Sequence, residues 1–274
     1  MKAALGQLQI HWEDKEANLK KAEAYLELLS EKKTDLFLLP EMSLTGFSMH
    51  TERIKEKREE TVERMQRLAE KYQVAIGAGW VKDAGALCEN HYSIVAPEGR
   101  ILDYTKLHPF RFGGEAEHFQ GGNALPVCDF GGFCVGVQIC YDLRFPEPFQ
   151  LLSKKADLIL VPANWPAARS GHWKSLLKAR AIENMVYVAG INCAGEMGKL
   201  FYSGDSRLYA PDGTKLKKET ARLPGCGTGE RVMIYDLQND VHSYRECFPV
   251  KEDRRERLYQ KLQEETWDYD IDSQ

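Results

Sequence analysis

The residue best suited to nucleophilic chemistry lies in the stretch that runs from position 133 to Pro148. Mostly apolar residues occupy positions 133–139, as in a short buried strand, and Cys140 follows directly, before a polar pair and two prolines that open a new element. A thiol on a sharp turn from strand to helix is presented outward beside free backbone N–H groups, which favours a nucleophile. Free cysteine is also among the most buried residue types, so a core residue is the alternative.

Two charged residues also follow strand-like segments. Glu41 comes after the apolar run 36–39 and a proline. Because carboxylates are rarely buried without a partner, Glu41 is either a surface residue at a strand end or a site residue. Lys106 ends the second arm of a predicted hairpin over 91–105, where a lysine is by default a solvated surface residue. Asn164 ends a further apolar strand in the same way.

Positions 107–123 are polar, glycine-rich and aromatic without periodicity, which predicts a long loop. Loops of this length in compact domains tend to be functional. Its ionisable side chains are His108, Arg111, Glu115, Glu117 and His118. They lack the HExxH or His-x-His arrangement that would fix a metal, so neither a metal nor any other cofactor is predicted.

The composition favours an intracellular protein that acts on a small molecule. The chain has 274 residues, a net charge of −4 and seven cysteines without CxxC spacing. These features argue against a nucleic-acid partner, a disulfide framework and a zinc ribbon. Met1 and Lys2 lead straight into a predicted strand, and no run approaches the roughly 18 apolar residues of a membrane span. We therefore expect no signal peptide, no membrane partner and a cytoplasmic location.

Periodicity predicts alternating strands and helices, the pattern of an α/β fold. Strands are expected over 3–10, 36–39, 74–79, 133–139, 157–161, 185–192 and 232–237, helices over 16–33, 57–72, 147–154 and 173–184, and hairpins over 91–105 and near 206–213. No Pro/Gly/Ser-rich linker divides the chain, so a single domain is favoured.

The polar residues at the strand ends, taken in order, resemble a known family. Glu41 in LPEMSLTGF, Lys106 in YTKLHPF and Cys140 in VQICYDLRFPE resemble the Glu-Lys-Cys triad of the nitrilase superfamily, the carbon–nitrogen hydrolases. The resemblance covers nearly the whole chain, including NWPAARSGHWKSLLKARAIEN and YSGDSRLYAPDG. YTKLHPF, the GEAEHF loop, CYDLRFPE and ANWP look most like the omega-amidase branch, which acts on ω-amides of 2-oxo dicarboxylic acids. The resemblance implies an α-β-β-α sandwich, often paired with a second subunit.

The same residues supply the chemistry that an unactivated amide requires. Such a bond needs a nucleophile, a base that returns its proton to the leaving ammonia, and stabilisation of the oxyanion. Cys140, Glu41 and Lys106 are expected in these roles, with the Tyr141 backbone N–H as second oxyanion donor. Glu115 resembles the superfamily's second glutamate, which holds the lysine and the substrate.

Glu117 is a rival for that last role, and the type of substrate is also left open. The triad could instead hydrolyse an N-carbamoyl amino acid or a nitrile, since sequence hides the shape of the pocket. A non-catalytic, partner-binding member is a further alternative, which the intact triad argues against.

A 2-oxo ω-amide ends in a carboxylate, for which the planar fork of an arginine is suited. Arg169 is the first candidate and Arg111 the second, whereas Arg144 is expected to be structural and to pair with Glu147 or a neighbouring carboxylate. Asn164 and Trp165 are further candidate substrate-binding residues.

The chain is expected to divide into a carbon–nitrogen hydrolase domain over 1–250 and a C-terminal helix and tail over 251–274. The latter is predicted to pack at a subunit interface of a homodimer or a larger homo-oligomer.

Overall fold

A computed structural model of the protein describes residues 1–266, and the two principal sheets within this range face each other. The strands, in chain order, are β1 (Lys2–Gln7), β2 (Leu36–Leu38), β3 (Ala75–Asp83), β4 (Cys88–Ala96), β5 (Gly99–Thr105), β6 (Phe119–Gln120), β7 (Val127–Phe130), β8 (Phe133–Val137), β9 (Leu158–Ala163), β10 (Tyr187–Asn192), β11 (Ala194–Met197), β12 (Leu200–Ser203), β13 (Arg207–Tyr209), β14 (Glu219–Ala221) and β15 (Arg231–Asp236). The α-helices are α1 (Lys15–Glu31), α2 (Thr51–Ile54), α3 (Glu60–Tyr72), α4 (Pro146–Leu152), α5 (Ser170–Asn184), α6 (Val241–Cys247) and α7 (Glu256–Thr266).

The first sheet has the spatial order β14-β15-β1-β2-β3-β4-β5, and β6 pairs with β4. Its central strands β1, β2 and β3 are parallel. The second sheet has the order β13-β10-β9-β8-β7, and β8, β9 and β10 are parallel. The hairpin of β11 and β12 stands apart from both sheets.

Hydrophobic side chains fill the space between the two sheets and both outer faces. The central core combines residues of both sheets, such as Leu5 and Tyr92 with Val135 and Leu160. A second core lies between the first sheet and helices α1 and α3, and a third between the second sheet and helices α4 and α5. The layers therefore follow the order α-β-β-α, which confirms the fold expected from the resemblance.

Local differences from the sequence prediction concern helix starts and the long loop. Helix α3 begins at Glu60 rather than at position 57, because Glu59 takes a left-handed conformation that cannot continue a helix. The expected loop over 107–123 contains two short 3₁₀ turns, Arg111–Gly113 and Glu115–Glu117, and the short strand β6.

The C-terminal part of the described chain contains helix α7. The predicted role of 251–274 at a subunit interface stays a prediction, and its last residues, 267–274, lie outside the described residues. Within residues 1–266, none of the helices combines the length and the apolar character needed to cross a bilayer.

Candidate active site

The ends of four strands bring the predicted polar residues to one edge of the two facing sheets. Glu41 follows β2 and Lys106 follows β5 in the first sheet, while Cys140 follows β8 and Asn164 follows β9 in the second. Hydrogen bonds and electrostatic interactions link all four residues. The edge at which parallel strands end is the usual ligand-binding position in such sheets.

Lys106 lies between two buried carboxylates. Its Nζ atom is 2.9 Å from Glu41 Oε1 and 3.0 and 2.8 Å from the two carboxylate oxygens of Glu115. All three side chains are at most 1% exposed. The expectation that a lysine at this position is a solvated surface residue is therefore wrong, because two carboxylates compensate for its burial.

The choice between the two glutamates of the long loop follows from the same geometry. Glu115 is buried and also accepts a hydrogen bond from the Phe110 backbone N–H at 2.6 Å. Glu117, two residues later in the same 3₁₀ turn, is exposed. The structure thus places Glu115, and not Glu117, beside Lys106.

Two asparagines hold Glu41 in place. Asn90 Nδ2 donates to Glu41 Oε1 at 2.9 Å and to Glu115 Oε1 at 3.0 Å. The Asn164 backbone N–H donates to Glu41 Oε2 at 3.0 Å, and Asn164 Nδ2 donates to the Glu41 backbone carbonyl at 2.7 Å. Sequence reasoning missed Asn90. Its signal is an asparagine in the interior of a strand, a position that disfavours this residue type.

Cys140 occupies a strained turn directly after its strand. Its φ angle is +47°, a left-handed conformation that a non-glycine residue rarely adopts, and it begins the 3₁₀ turn Cys140–Arg144. Such strain persists where the surrounding structure compensates for it, often at functional sites. The first backbone N–H groups of this turn, including that of Tyr141, have no hydrogen-bond acceptor within the turn itself.

Asp142 fixes the turn of Cys140 to the loop of Lys106. Its buried carboxylate accepts from the Ile139 backbone N–H at 3.0 Å and from Tyr104 Oη at 2.8 Å. The other carboxylate oxygen accepts from the His108 backbone N–H at 2.9 Å and lies 2.8 Å from His108 Nδ1. Sequence reasoning missed Asp142, and it sets the spacing between two candidate catalytic residues.

Burial and neighbouring charges perturb the pKa values of these groups. For Cys140, burial and the Glu41 carboxylate raise the thiol pKa well above its usual value, although Lys106 opposes this. For Lys106, burial disfavours the ammonium, but Glu115 and Glu41 outweigh it and raise the pKa. Burial also raises the pKa of Glu115 against the influence of Lys106. The resting cluster therefore holds a charged lysine and a protonated thiol.

A cavity of about 360 Å³ opens onto Cys140, Lys106 and Asn164. Most of its wall is aromatic or aliphatic, with the side chains of Phe47, Met49, Phe110, Phe112, Tyr141, Trp165, Leu200 and Tyr202. Trp165 is held by a hydrogen bond from its Nε1 atom to the Arg169 backbone carbonyl at 2.8 Å. Pockets for small ligands combine such walls with a few polar groups that fix orientation.

Two arginines contribute the remaining charge of this cavity. The Arg169 guanidinium lies 5.7 Å from the Phe110 ring, and that of Arg144 lies 5.0 Å from the Trp165 ring. Among the side chains that the structure describes, neither guanidinium has a carboxylate within 4.0 Å, and the side-chain polar contact of Arg144 is His172 Nδ1 at 3.4 Å.

These positions correct two predictions about arginines. Arg144 does not pair with Glu147, which is exposed; the 3₁₀ turn directs its guanidinium onto aromatic rings of the cavity instead. Arg111 does not line the cavity and is exposed, because it begins the outer 3₁₀ turn of the long loop. Arg169, Asn164 and Trp165 all line the cavity, and their role in substrate binding stays a prediction. No three His, Cys, Asp or Glu side chains in the described part of the chain are grouped as metal ligands.

Comparison with known proteins agrees with this geometry. The carbon–nitrogen hydrolase family matches residues 2–246, and the chain belongs to this family. It is a hydrolase that acts on carbon–nitrogen bonds other than peptide bonds.

Among its relatives, the omega-amidase YafV of Yersinia enterocolitica is 37% identical over 92% of this chain and 96% of that protein. The 2-oxoglutaramate amidase of Bacillus subtilis is 34% identical over 92% of this chain and 97% of that protein. A carbon–nitrogen hydrolase superfamily protein of Xanthomonas campestris, solved with an arsenic adduct in its active site, has a TM-score of 0.84 and 30% identity, with 93% of this chain and 97% of that chain covered.

Proposed function

We propose that this protein hydrolyses the ω-amide of a small dicarboxylic or 2-oxo acid, such as 2-oxoglutaramate, to the acid and ammonia. The observation that carries this proposal is a cavity lined by Cys140 and by two guanidiniums that have no carboxylate partner among the described side chains. The similarity to an omega-amidase and to a 2-oxoglutaramate amidase over most of the chain supports the same substrate class.

In the first half of the reaction, Cys140 attacks the amide carbon and its proton passes to Glu41. The negative charge that develops on the substrate oxygen is stabilised by Lys106 and by the Tyr141 backbone N–H. Protonated Glu41 then gives its proton to the leaving nitrogen. The C–N bond breaks, ammonia leaves, and a thioester remains on Cys140.

In the second half, Glu41 takes a proton from a water molecule that attacks the thioester. The S–C bond then breaks, the acid is released, and Glu41 returns the proton to the Cys140 thiolate. Glu115 positions Lys106 throughout, since it accepts two hydrogen bonds from Nζ. A cluster of one ammonium and two carboxylates gains nothing from a third buried anion. The proton therefore stays on the thiol until substrate is bound.

The substrate carboxylate pairs with Arg169, and Arg144 contacts the same carboxylate or a neighbouring 2-oxo group. Both guanidiniums lie against aromatic rings, which support their orientation and exclude water. Charge-assisted, bidentate pairs of this kind are strong in a partly apolar site.

The test is a substrate panel with purified protein and ammonia release as the readout. 2-Oxoglutaramate and succinamate should have much higher kcat/KM values than hexanamide, an aliphatic amide that is slightly longer and lacks the carboxylate. N-carbamoyl amino acids and nitriles complete the panel. Preference for hexanamide, for a carbamoyl compound or for a nitrile would refute the proposal, and no turnover of any compound would support a non-catalytic member.

We further propose that the protein acts in the cytoplasm as a homodimer or a larger homo-oligomer. All seven cysteines are free, as in a reducing compartment. Large apolar side chains are exposed on the helices and on the C-terminal segment, such as Leu151, Phe248 and Tyr259. Light scattering of the purified protein tests the oligomer, and a monomer at micromolar concentration would refute it.

A further inference from the structure

The side-chain amide of Asn164 has one hydrogen-bonding atom without a partner. Its Nδ2 atom donates to the Glu41 backbone carbonyl at 2.7 Å and lies 3.4 Å from Glu41 Oε2. Because both neighbours are acceptors, the amide must present its NH2 group to them and its Oδ1 atom elsewhere. Oδ1 is buried and has no hydrogen-bond partner among the described residues.

An unpaired carbonyl oxygen in a buried position is costly and calls for an explanation. Asn164 lines the cavity together with Cys140 and Lys106, so a bound substrate can supply the missing donor. The oxygen of a substrate amide faces Lys106 and the Tyr141 N–H, which are donors. The NH2 group of the same amide carries donors itself and needs an acceptor.

We infer that Asn164 Oδ1 accepts a hydrogen bond from the amide nitrogen of the substrate and so holds the leaving group beside Glu41. This inference rests on the proposed amidase function and assigns a residue to the leaving nitrogen. The Asn164 backbone N–H is 3.0 Å from Glu41 Oε2. One residue thus contacts both the group that gives the proton and the group that receives it.

The contact orients proton transfer without changing its stoichiometry. Attack forms the S–C bond and places the thiol proton on Glu41. When one N–H of the substrate points at Asn164 Oδ1, the lone pair that forms on the tetrahedral nitrogen is turned toward protonated Glu41. Transfer of that proton, cleavage of the C–N bond and return of the oxyanion electrons to the carbonyl give ammonia and the thioester.

Asn90 provides a matched control for this role. Its Nδ2 atom also donates to Glu41, at 2.9 Å, and its Oδ1 atom is also buried without a partner. However, Asn90 does not line the cavity. Substitution of Asn90 therefore weakens the support of Glu41 without removing an acceptor that the substrate can reach.

The experiment compares an amide and an ester that form the same thioester, succinamate and monomethyl succinate, in the wild type, Asn164→Leu and Asn90→Leu. Because kcat/KM reports the steps up to loss of the leaving group, the ratio of kcat/KM values for amide over ester isolates the contact with nitrogen. We expect this ratio to fall at least tenfold in Asn164→Leu and to change less than threefold in Asn90→Leu.

Equal falls in the two variants would overturn the inference, since Asn164 would then act only through Glu41. An unchanged ratio in Asn164→Leu would overturn it as well. If Asn164→Leu does not fold, Asn164→Ser is measured in its place, because the smaller side chain fits the same space. A wild type that cleaves the ester but not the amide would refute the proposed function, and the inference with it.

Discussion

Lys106→Met should reduce both the stability and the turnover of the protein. The substitution leaves Glu41 and Glu115 buried without their cation, and it removes three contacts of 2.8–3.0 Å. Removal of one partner of a buried ion pair typically costs about 3–5 kcal/mol. For a chain of this size roughly 2 °C is lost per kcal/mol, so the melting temperature should fall by about 6–10 °C.

The effect on kcat has a different origin. Loss of a single oxyanion donor usually lowers kcat by about 100-fold to 1,000-fold. The pKa of Lys106 is raised by Glu115 and Glu41, against its burial, so the ammonium persists across the neutral range. Its contribution to stability is present below the unfolded pKa and is lost only as the pH rises through the higher folded pKa. The wild-type ammonium should therefore not titrate between pH 6 and 9, whereas the stability deficit of Lys106→Met should shrink as the pH falls, because Glu115, whose pKa burial raises, then takes up a proton.

A second substitution separates the two effects. Lys106→Met/Glu115→Gln replaces one unpaired carboxylate by a neutral amide, which should recover much of the lost melting temperature but none of the kcat. Lys154→Met, which breaks an exposed pair with Glu256, is the control and should change neither quantity appreciably. The assays are thermal unfolding and ammonia release from saturating succinamate. Recovery of kcat together with stability in the double variant, or kcat within tenfold of wild type in Lys106→Met, would refute the electrostatic role.

Further substitutions test the nucleophile, the substrate contacts and the scaffold of the site. Cys140→Ser and Cys140→Ala should abolish ammonia release with little change in melting temperature, and activity within tenfold of wild type would exclude a thioester. Arg169→Ala and Arg144→Met should each raise the KM for succinamate about tenfold or more, because each removes a charge-assisted hydrogen bond of roughly 1.5–3 kcal/mol. The KM for hexanamide should not change. Equal effects on both amides would count against carboxylate binding. Asp142→Asn should lower kcat at least tenfold, because the new NH2 group would face hydrogen-bond donors. Tyr104→Phe removes only one of those donors and should lower kcat less. Equal activity in both variants would contradict this role of Asp142.

The layer order and the positions of the strand-end residues could be predicted from the sequence because both depend on local patterns. Apolar runs of strand length end at the places where the chain turns, and a polar residue after such a run lies at a sheet edge. Glu41, Lys106 and Cys140 were accessible in this way, and the structure links them.

The residues that connect these strand ends could not be predicted in the same way. Asn90 lies in the middle of a strand, and Asp142 contacts Tyr104 and His108, more than 30 positions away in the chain. Side-chain directions in irregular turns also follow no period. For this reason the sequence could not show that Arg144 faces the cavity.

The protonation state of Cys140 decides how Glu41 acts, and the sequence leaves it open because lysine and glutamate influence the thiol in opposite directions. In the structure burial and Glu41 raise the thiol pKa, so the nucleophile rests as a thiol. If Glu41 acted only as a charge, Glu41→Gln would lower the thiol pKa, increase the thiolate fraction and speed alkylation of Cys140 by iodoacetamide. If Glu41 accepts the proton during attack, the same substitution should slow alkylation at pH 7, by tenfold or more. Mass spectrometry of the Cys140 peptide over time measures this rate, and faster labelling in Glu41→Gln would rule out Glu41 as the base.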